Sequence, residues 1–175
     1  MSGLTLRPAT TADLPALSRL ATAAFIAKFG ELYSAADLAT FLAESLSEAA
    51  FAQDLANSLR PIQLAERDGA LVAFAKLGLT CGFPAHARGK NAMELKQLYT
   101  APAAIGGGIG AALMDWAMDT LAARGADEVQ LSVYAHNPGA HRFYERYGFS
   151  KVADITFKVG EQLDPEFLFA KLLNQ

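Results

Sequence analysis

Four glycines, Gly106, Gly107, Gly108 and Gly110, lie close together within residues 98–113, which read LYTAPAAIGGGIGAAL. We expect an apolar strand to end before them and a helix to begin among them, so the first N–H groups of that helix have no internal acceptor. Glycine lets a ligand approach the backbone closely, and the positive end of the helix dipole favours a bound anion. The pattern therefore predicts a diphosphate site, and a glycine-rich turn without a ligand is the alternative.

The residues after the last glycine test one competing interpretation, the P-loop of nucleotide hydrolases. A P-loop places Lys and then Ser or Thr after its final glycine, where their side chains reach the phosphates and Mg²⁺. Here Gly110 is followed by Ala111 and Ala112. We therefore do not expect nucleotide hydrolysis.

A second competing interpretation is the dinucleotide fingerprint G-x-G-x-x-G/A, whose letters are met by Gly106, Gly108 and Ala111. That fingerprint usually opens a βαβ unit and is followed by an acid at the end of the next strand, where the acid binds a ribose. The next strand is predicted over residues 129–134 and ends in Tyr134, while the nearest acids lie at its beginning. The context of the glycines thus disfavours a dinucleotide site.

The same residues resemble a third pattern, Q/R-x-x-G-x-G/A, the signature of the GNAT superfamily of N-acetyltransferases. The signature falls on residues 105–110, with Gly108 and Gly110 at the fixed glycines and Ile105 in place of Gln or Arg. Family members hold the diphosphate of acetyl-CoA mostly through main-chain amides, so the resemblance implies acetyl-CoA as the co-substrate. Whether Ile105 weakens coenzyme binding is left open. The residues that this resemblance places at the diphosphate are Ile105, Gly106, Gly107, Gly108, Ile109, Gly110 and Ala111.

A second stretch, NPGAHRFYERYGF at residues 137–149, resembles the family segment N-x-x-A-x-x-F-Y-x-x-x-G-F. The resemblance implies that Asn137 contacts the pantetheine arm and that Phe143 and Tyr144 lie beside the coenzyme. It also implies that Tyr144 protonates the departing thiolate. A phenol suits this role because its usual pKa, about 10, is close to that of a thiol. A packed aromatic is the alternative for Tyr144 taken alone, but the glycine cluster upstream favours the catalytic interpretation.

Attack of an amine on a thioester also requires a base. Glu94 begins the strand predicted over residues 92–99, at the place where histone-acetylating family members keep a catalytic glutamate. Burial would raise the pKa of such a carboxylate toward the working range. An ion pair of Glu94 with Lys96 or Lys76 is the equally open structural alternative, and Tyr99 is a further candidate for assisting proton transfer.

The family places the pantetheine arm in a gap between the fourth and fifth strands. The resemblance therefore implies that the arm pairs with the exposed strand edge formed by Leu98, Tyr99 and Thr100. Strand-edge amides are suitable partners because a ligand made of successive amides can satisfy them in place of another strand.

The remaining residues with reactive side chains indicate no further site. Cys81 is interpreted as a small buried hydrophobe, since no partner that would activate its thiol is evident. The residues His86, His136 and His141 lack the spacing of a zinc site, so no metal is expected. A supporting role for His141 beside the tyrosine segment and a solvated helix face both stay open.

The hydrophobic pattern predicts an order of elements that would position these residues. It indicates a mixed α/β fold in one domain, residues 1–175, with the coenzyme core at about 92–149. The resemblance implies the GNAT acyl-CoA N-acyltransferase fold, a splayed and mostly antiparallel sheet flanked by helices. The predicted strands are 4–7, a hairpin from Ile62 through Asp68-Gly69 to 71–79, then 92–99, 129–134, 152–159 and 166–172 after a loop at 160–165. The predicted helices are one after the cap at 10–13, then 34–46, 47–59 and 109–123.

Composition limits the partners and the compartment. The formal charge of −3 with mixed signs disfavours nucleic acid and mildly favours cationic substrates. A single cysteine excludes an internal disulfide, nothing at the start resembles a signal peptide, and no apolar run is long enough for a membrane span. We therefore expect a soluble protein of the cytoplasm.

The two ends of the chain bear on the identity of the acceptor. The last residues and the helical N-terminal region resemble the small-molecule branch that acetylates polyamines, so a small primary amine or polyamine is expected. A protein N-terminus or lysine is the alternative acceptor, and a non-catalytic acyl-CoA sensor is the alternative function. Many family members pair through their terminal strands, which leaves a homodimer open. The acids that would make a cationic mouth, or simply solvated helix faces, are Glu31, Asp37, Glu44, Glu48 and Asp54.

Overall fold

The centre of the fold is a seven-stranded mixed sheet, seen in a computed structural model that describes residues 3–173. Its strand order is β1-β2-β3-β4-β5-β7-β6, and each pair of neighbours is antiparallel except β4 and β5. The strands are β1 (Leu4–Pro8), β2 (Ile62–Arg67), β3 (Ala70–Gly78), β4 (Ala92–Thr100), β5 (Glu128–Tyr134), β6 (Ser150–Val159) and β7 (Gln162–Leu172). The helices are α1 (Leu14–Phe29), α2 (Ala35–Ser45), α3 (Glu48–Leu55), α4 (Ile109–Ala123) and α5 (Pro138–Arg146). This architecture confirms the predicted fold class.

Local sequence signals explain where several elements begin. The hydroxyl oxygen of Ser34 accepts the N–H of Asp37 at the start of α2, and Ser47 accepts the N–H of Ala50 at the start of α3, both at 3.1 Å. Each bond satisfies a backbone donor that has no partner inside the helix. The β2–β3 hairpin turns through residues 68 and 69, which adopt positive φ angles of 53° and 82°. This is the tight turn expected of an Asp-Gly pair.

Two hydrophobic cores cover the two faces of the sheet. On one face, α4 buries Leu113, Ala117 and Leu121 against the central strands. On the other face, α1, α2 and α3 pack their apolar side chains against β2 and β3, with Phe51 and Phe74 in edge-to-face contact at 5.5 Å. The sheet is therefore a rigid middle layer, and its strands fix the directions of the side chains that they carry.

Two predicted boundaries are wrong. The third helix ends at Leu55 rather than at residue 59, because the side chain of Asn57 accepts the N–H of Leu59 at 2.9 Å and so favours a turn. The predicted loop over 160–165 is only a two-residue turn, and β7 already begins at Gln162. Pro165 fits inside this strand because its carbonyl accepts the N–H of Ala135, on the β5 side. Its missing N–H faces that same side and costs no bond to β6.

Within residues 3–173, no helix has both the length and the apolar character that crossing a membrane would require.

Candidate active site

The parallel strands β4 and β5 separate soon after they begin. Their pairing extends only from Ala92 with Glu128 to Glu94 with Gln130. Beyond Glu94, β4 continues to Thr100 with its backbone bonded to β3 alone among the strands. One edge of β4 is therefore left open toward β5, as the resemblance implied for the pantetheine arm.

A cavity of about 840 Å³ lies at this separation. It extends from the start of α4 and one side of α5, past the open edge of β4, to the end of α1 and the strand β7. Of the predicted coenzyme residues, all but Gly107 line it: Leu98, Tyr99, Thr100, Ile105, Gly106, Gly108, Ile109, Gly110, Ala111, Asn137, Phe143 and Tyr144. The structure thus brings together residues that are separated by up to 46 positions in the chain (144 − 98).

The glycine cluster forms the turn into α4 that the sequence predicts. Gly106 and Gly108 have φ angles of +91° and +77°, which side chains other than glycine rarely adopt. The first backbone bond of α4 runs from the N–H of Ala112 to the carbonyl of Gly108, at 3.1 Å. The residues Ile109, Gly110 and Ala111 precede this bond and line the cavity. Their N–H groups have no acceptor inside the helix, so they are candidates to bind an anion.

The side chain of Ile105 takes no part in holding an anion. It is 71% exposed, and its aliphatic side chain offers no hydrogen-bond donor. The backbone cradle is present without the Gln or Arg that the family signature has at this position.

Tyr144 lies on α5, which begins where the side-chain oxygen of Asn137 accepts the N–H of Ala140 at 3.3 Å. Its ring packs between Phe143 and Phe149, with centroid distances of 5.2 and 6.2 Å. Burial raises the pKa of Tyr144 to about 12, so the phenol keeps its proton at neutral pH. A protonated phenol at the cavity can donate to a thiolate, although its role as an acid stays a prediction.

His141, three residues before Tyr144, is neither free nor solvated. Its Nε2 lies 2.9 Å from the carbonyl oxygen of Tyr134, and its ring packs against Phe167 and Phe169. These contacts fix α5 against β5 and β7 and thereby hold the face that carries Tyr144.

Glu94 lies at the base of β4, before the strands separate, and does not line the cavity. It is only 7% exposed, and its Oε2 is 3.1 Å from Nζ of Lys96. The carboxylate also lies against Gly82, where an added Cβ would come within 2.4 Å of Oε2. The geometry matches the ion-pair alternative with Lys96, and the catalytic role of Glu94 stays a prediction.

Two acids that the sequence analysis missed do line the cavity. Asp164 and Glu166 are two positions apart on β7, so both side chains lie on the same face of the sheet. Asp164 is 4% exposed and accepts hydrogen bonds from the phenol of Tyr33 and, at 2.9 Å, from Nε2 of Gln162. We call Tyr33, Asp164 and Glu166 the acidic wall. The predicted loop over 160–165 left Asp164 outside the sheet, whereas β7 begins at Gln162 and includes it.

The pKa of Glu166 sets this residue apart from the other groups of the cavity. Burial, and then the nearby Asp164, raises the pKa of Glu166 to about 7. Burial also raises the pKa of Tyr99 above its usual range, with smaller contributions from Glu166 and Tyr144. The wall therefore offers a carboxylate that exchanges its proton near neutral pH, in the same cavity as a phenol that does not.

Among residues 3–173, no group of three or more His, Cys, Asp or Glu side chains is arranged to hold a metal ion. The thiol of Cys81 lies 3.5 Å from Oε1 of Gln130, away from the cavity lining.

Comparison with known proteins assigns the family. Residues 23–149 match the model of the acetyltransferase (GNAT) family. An uncharacterized N-acetyltransferase of Mycobacterium tuberculosis is 34% identical over 137 residues, which cover 78% of this chain and 82% of that protein. A mycothiol acetyltransferase of Beutenbergia cavernae is 47% identical over 60 residues, 34% of this chain and 20% of that protein.

Solved structures agree in fold. The PaiA N-acetyltransferase from Thermoplasma acidophilum, solved in complex with coenzyme A, has a TM-score of 0.80 at 21% identity and covers 97% of this chain and 99% of its own. A ribosomal-protein-alanine N-acetyltransferase from Brucella melitensis has a TM-score of 0.74 at 24% identity, again covering 97% and 99%. With the family match, the glycine cradle and the open edge of β4 in place, the chain belongs to the acetyltransferase (GNAT) family and is an acetyl-CoA-dependent N-acetyltransferase.

Proposed function

We propose that this enzyme acetylates a primary amine of a small molecule or polyamine. The observation that carries the proposal is the acidic wall: Asp164 and Glu166 line the same cavity as the glycine cradle. An amine is a cation at neutral pH, and a carboxylate pair attracts it to this wall. The thioester carbonyl would then lie between the wall and Tyr144.

Glu166 is proposed as the group that receives the proton of the amine, directly or through a water. An ammonium cannot attack a carbonyl, so the acceptor must lose a proton before reaction. A carboxylate with a pKa of about 7 accepts that proton more readily than an ordinary glutamate, whose pKa is near 4.5. Glu94, the base suggested by the family resemblance, is the competing residue.

The reaction is then a direct transfer. The nitrogen lone pair of the neutral amine attacks the thioester carbon, forming the C–N bond, and the C–S bond breaks as the carbonyl re-forms. The thiolate takes the phenolic proton of Tyr144, and Glu166 holds the proton that the ammonium lost before attack. The second proton, which the nitrogen loses once the C–N bond has formed, passes through water to the phenolate of Tyr144. The products are an N-acetylated amine and CoA, and Glu166 returns to its starting state by exchange with water.

A panel of acceptors tests the substrate class. Purified enzyme and acetyl-CoA are incubated with a linear triamine, a diamine, a monoamine of matched length, amino acids and a peptide that begins with alanine, and free thiol release is followed. We expect the di- and triamines to give the highest kcat/KM. Turnover of the peptide alone would contradict the small-amine proposal and would favour protein N-terminal acetylation. CoA binding without turnover of any acceptor would favour the sensor alternative.

Charge variants test the role of the wall. Asp164→Asn and Glu166→Gln should raise KM for di- and triamines more than for a monoamine, because the longer cations contact both acids. The matched control is Glu145→Gln on the exposed side of α5, which removes one negative charge away from the cavity. An equal effect of all three substitutions would show a general charge effect instead of a binding wall.

A further inference from the structure

Arg67, at the end of β2, reaches the glycine cradle from a distant part of the chain. Its Nη2 donates a hydrogen bond to the carbonyl of Gly107 at 3.2 Å. The guanidinium also packs directly on this residue, since an added Cβ on Gly107 would lie 2.8 Å from Nη1. Within residues 3–173, the buried Nε of Arg67 has no hydrogen-bond partner, so the bond to Gly107 is the polar contact that fixes the guanidinium.

The two sides of the loop face different surroundings. Gly106 and Gly108 line the cavity, whereas Gly107 does not and instead contacts Arg67. In a trans peptide the C=O and the N–H point in opposite directions. The carbonyl of Gly107 and the N–H of Gly108 belong to one peptide unit, so a carbonyl directed at Arg67 leaves the N–H of Gly108 directed away from it. Gly108 itself lines the cavity.

We propose that Arg67 is a positioning residue for the coenzyme: by holding the carbonyl of Gly107, it directs the N–H of Gly108 toward the diphosphate. The charge of the guanidinium also polarises this peptide unit and strengthens its N–H as a donor. Arg67 thereby stabilises the glycine turn from the side opposite the cavity. In this chain the family signature has Ile105 instead of Gln or Arg, so no side chain at that position can do so. The proposal rests on the assignment of the cavity as the acetyl-CoA site.

The proposal explains why residue 107 is a glycine. Its φ angle is not in the left-handed region, unlike those of Gly106 and Gly108, so the backbone alone would tolerate alanine there. A Cβ there would have to displace the end of the Arg67 side chain. Gly107→Ala should therefore act by displacing the guanidinium and should be neutral once the guanidinium is gone.

The test measures the Kd of three ligands for wild type and Arg67→Met. CoA and dephospho-CoA both carry the diphosphate, and S-acetylpantetheine lacks it. Methionine ends near the position of Nε, which removes the buried unpartnered donor without leaving a large space. We expect Kd for CoA and for dephospho-CoA to rise about tenfold in Arg67→Met, and Kd for S-acetylpantetheine to stay within twofold.

Two further variants keep the result interpretable. Gly107→Ala should weaken CoA binding severalfold in wild type and have no added effect in Arg67→Met, a coupling that a double-mutant cycle measures. Arg124→Met is the matched control, because Arg124 is exposed beyond the far end of α4, roughly 22 Å from the cradle along the helix. Its CoA affinity should equal that of wild type.

Any other outcome would overturn the proposal, and each would point to a different explanation. Unchanged CoA affinity in Arg67→Met, with tight binding by wild type, would refute the positioning role and leave the coenzyme site intact. A loss confined to CoA would show that Arg67 contacts the 3′-phosphate directly. An equal loss for S-acetylpantetheine, or additive effects in the cycle, would show a general disturbance of the fold. Failure of wild type to bind CoA would refute the coenzyme site together with the proposal.

Discussion

The phenol of Tyr33 donates a hydrogen bond to Oδ2 of Asp164, which is 131 residues later in the chain. Tyr33 follows the short turn after α1, and its ring stacks on Phe25 at a centroid distance of 5.8 Å. Asp164 belongs to β7, which lies between β5 and the edge strand β6. The bond therefore joins the helical layer to the sheet at the end of the cavity where we place the acceptor amine.

Tyr33→Phe should weaken the enzyme in two measurable ways. It removes one of the two donors to a buried carboxylate, which costs about 1–3 kcal/mol of unfolding free energy. It also frees Asp164 to move, so KM for a diamine should rise while Kd for CoA stays constant. Denaturant unfolding and steady-state kinetics measure both effects. An unchanged KM would mean that the wall does not bind the acceptor.

Tyr144→Phe should lower kcat by about 10²–10³-fold, since a positioned acid contributes on that order. The phenyl ring keeps the packing against Phe143 and Phe149, so the melting temperature and Kd for CoA should hardly change. Single-turnover kinetics with acetyl-CoA and a diamine separate the chemical step from binding. A variant with wild-type kcat would require another proton donor.

Glu166 should control the lower part of the pH profile. Its carboxylate must be ionised to accept a proton, so kcat/KM should rise with pH and level off above a pKa near 7. In Glu166→Gln this step should disappear and the remaining rate should fall at least tenfold. Glu94→Gln is the comparison variant, because it removes the competing candidate for the base. Loss of the step in that variant, with Glu166→Gln unaffected, would transfer the role of the base to Glu94.

Stability should also respond to pH through Glu166. Because its folded pKa of about 7 lies above the ordinary value of 4.5, the folded state holds a proton that the unfolded state has already released between these values. The contribution of Glu166 to stability is thus fully present below pH 4.5 and is lost as pH rises through 7. Thermal melts of wild type relative to Glu166→Gln should show a difference that declines across this range. A difference that grew with pH would contradict the burial of the neutral acid.

Glu128 should matter for folding more than for catalysis. Its carboxylate is fully buried, 2.8 Å from both the backbone N and Nε of Arg88 and 3.3 Å from the N–H of Gly89. Glu128→Ala leaves these donors without their acceptor and should cost about 1–3 kcal/mol of unfolding free energy. At a temperature where the variant is folded, Kd for CoA should match wild type. A cost below about 1 kcal/mol would mean that the loop before β4 is not anchored by this acid.

The parts of the site that depend only on residues adjacent in the chain were predictable from the sequence. Positive φ angles at Gly106 and Gly108 and a helix beginning at Ile109 follow from local chemistry, and the structure has all three. The local sequence pattern also identified the segment that contains Asn137 and Tyr144. Asn137 caps α5 and Tyr144 lies on it, so the geometry of the helix fixes their relative positions.

The parts that depend on the assembled sheet were not predictable. The position of Asp164 requires β7 to begin at Gln162 and to lie between β5 and β6, which no local signal in residues 160–165 indicates. Arg67 is 40 residues from Gly107 in the chain, and their contact depends on the hairpin β2–β3 lying beside the glycine turn. Proline and glycine between two strands suggested a long loop, and the tertiary pairing of β6 with β7 overrode that suggestion.

A crystal structure of the enzyme with CoA and a diamine would show whether the glycine cradle binds the diphosphate and the acidic wall binds the amine. We expect diphosphate oxygens within about 3 Å of the N–H groups of Gly108 and Gly110. We also expect one nitrogen of the diamine beside Glu166, with the CoA sulfur near the phenol of Tyr144. A diphosphate bound away from residues 105–111, or an amine bound beside Glu94 instead of the acidic wall, would contradict both assignments.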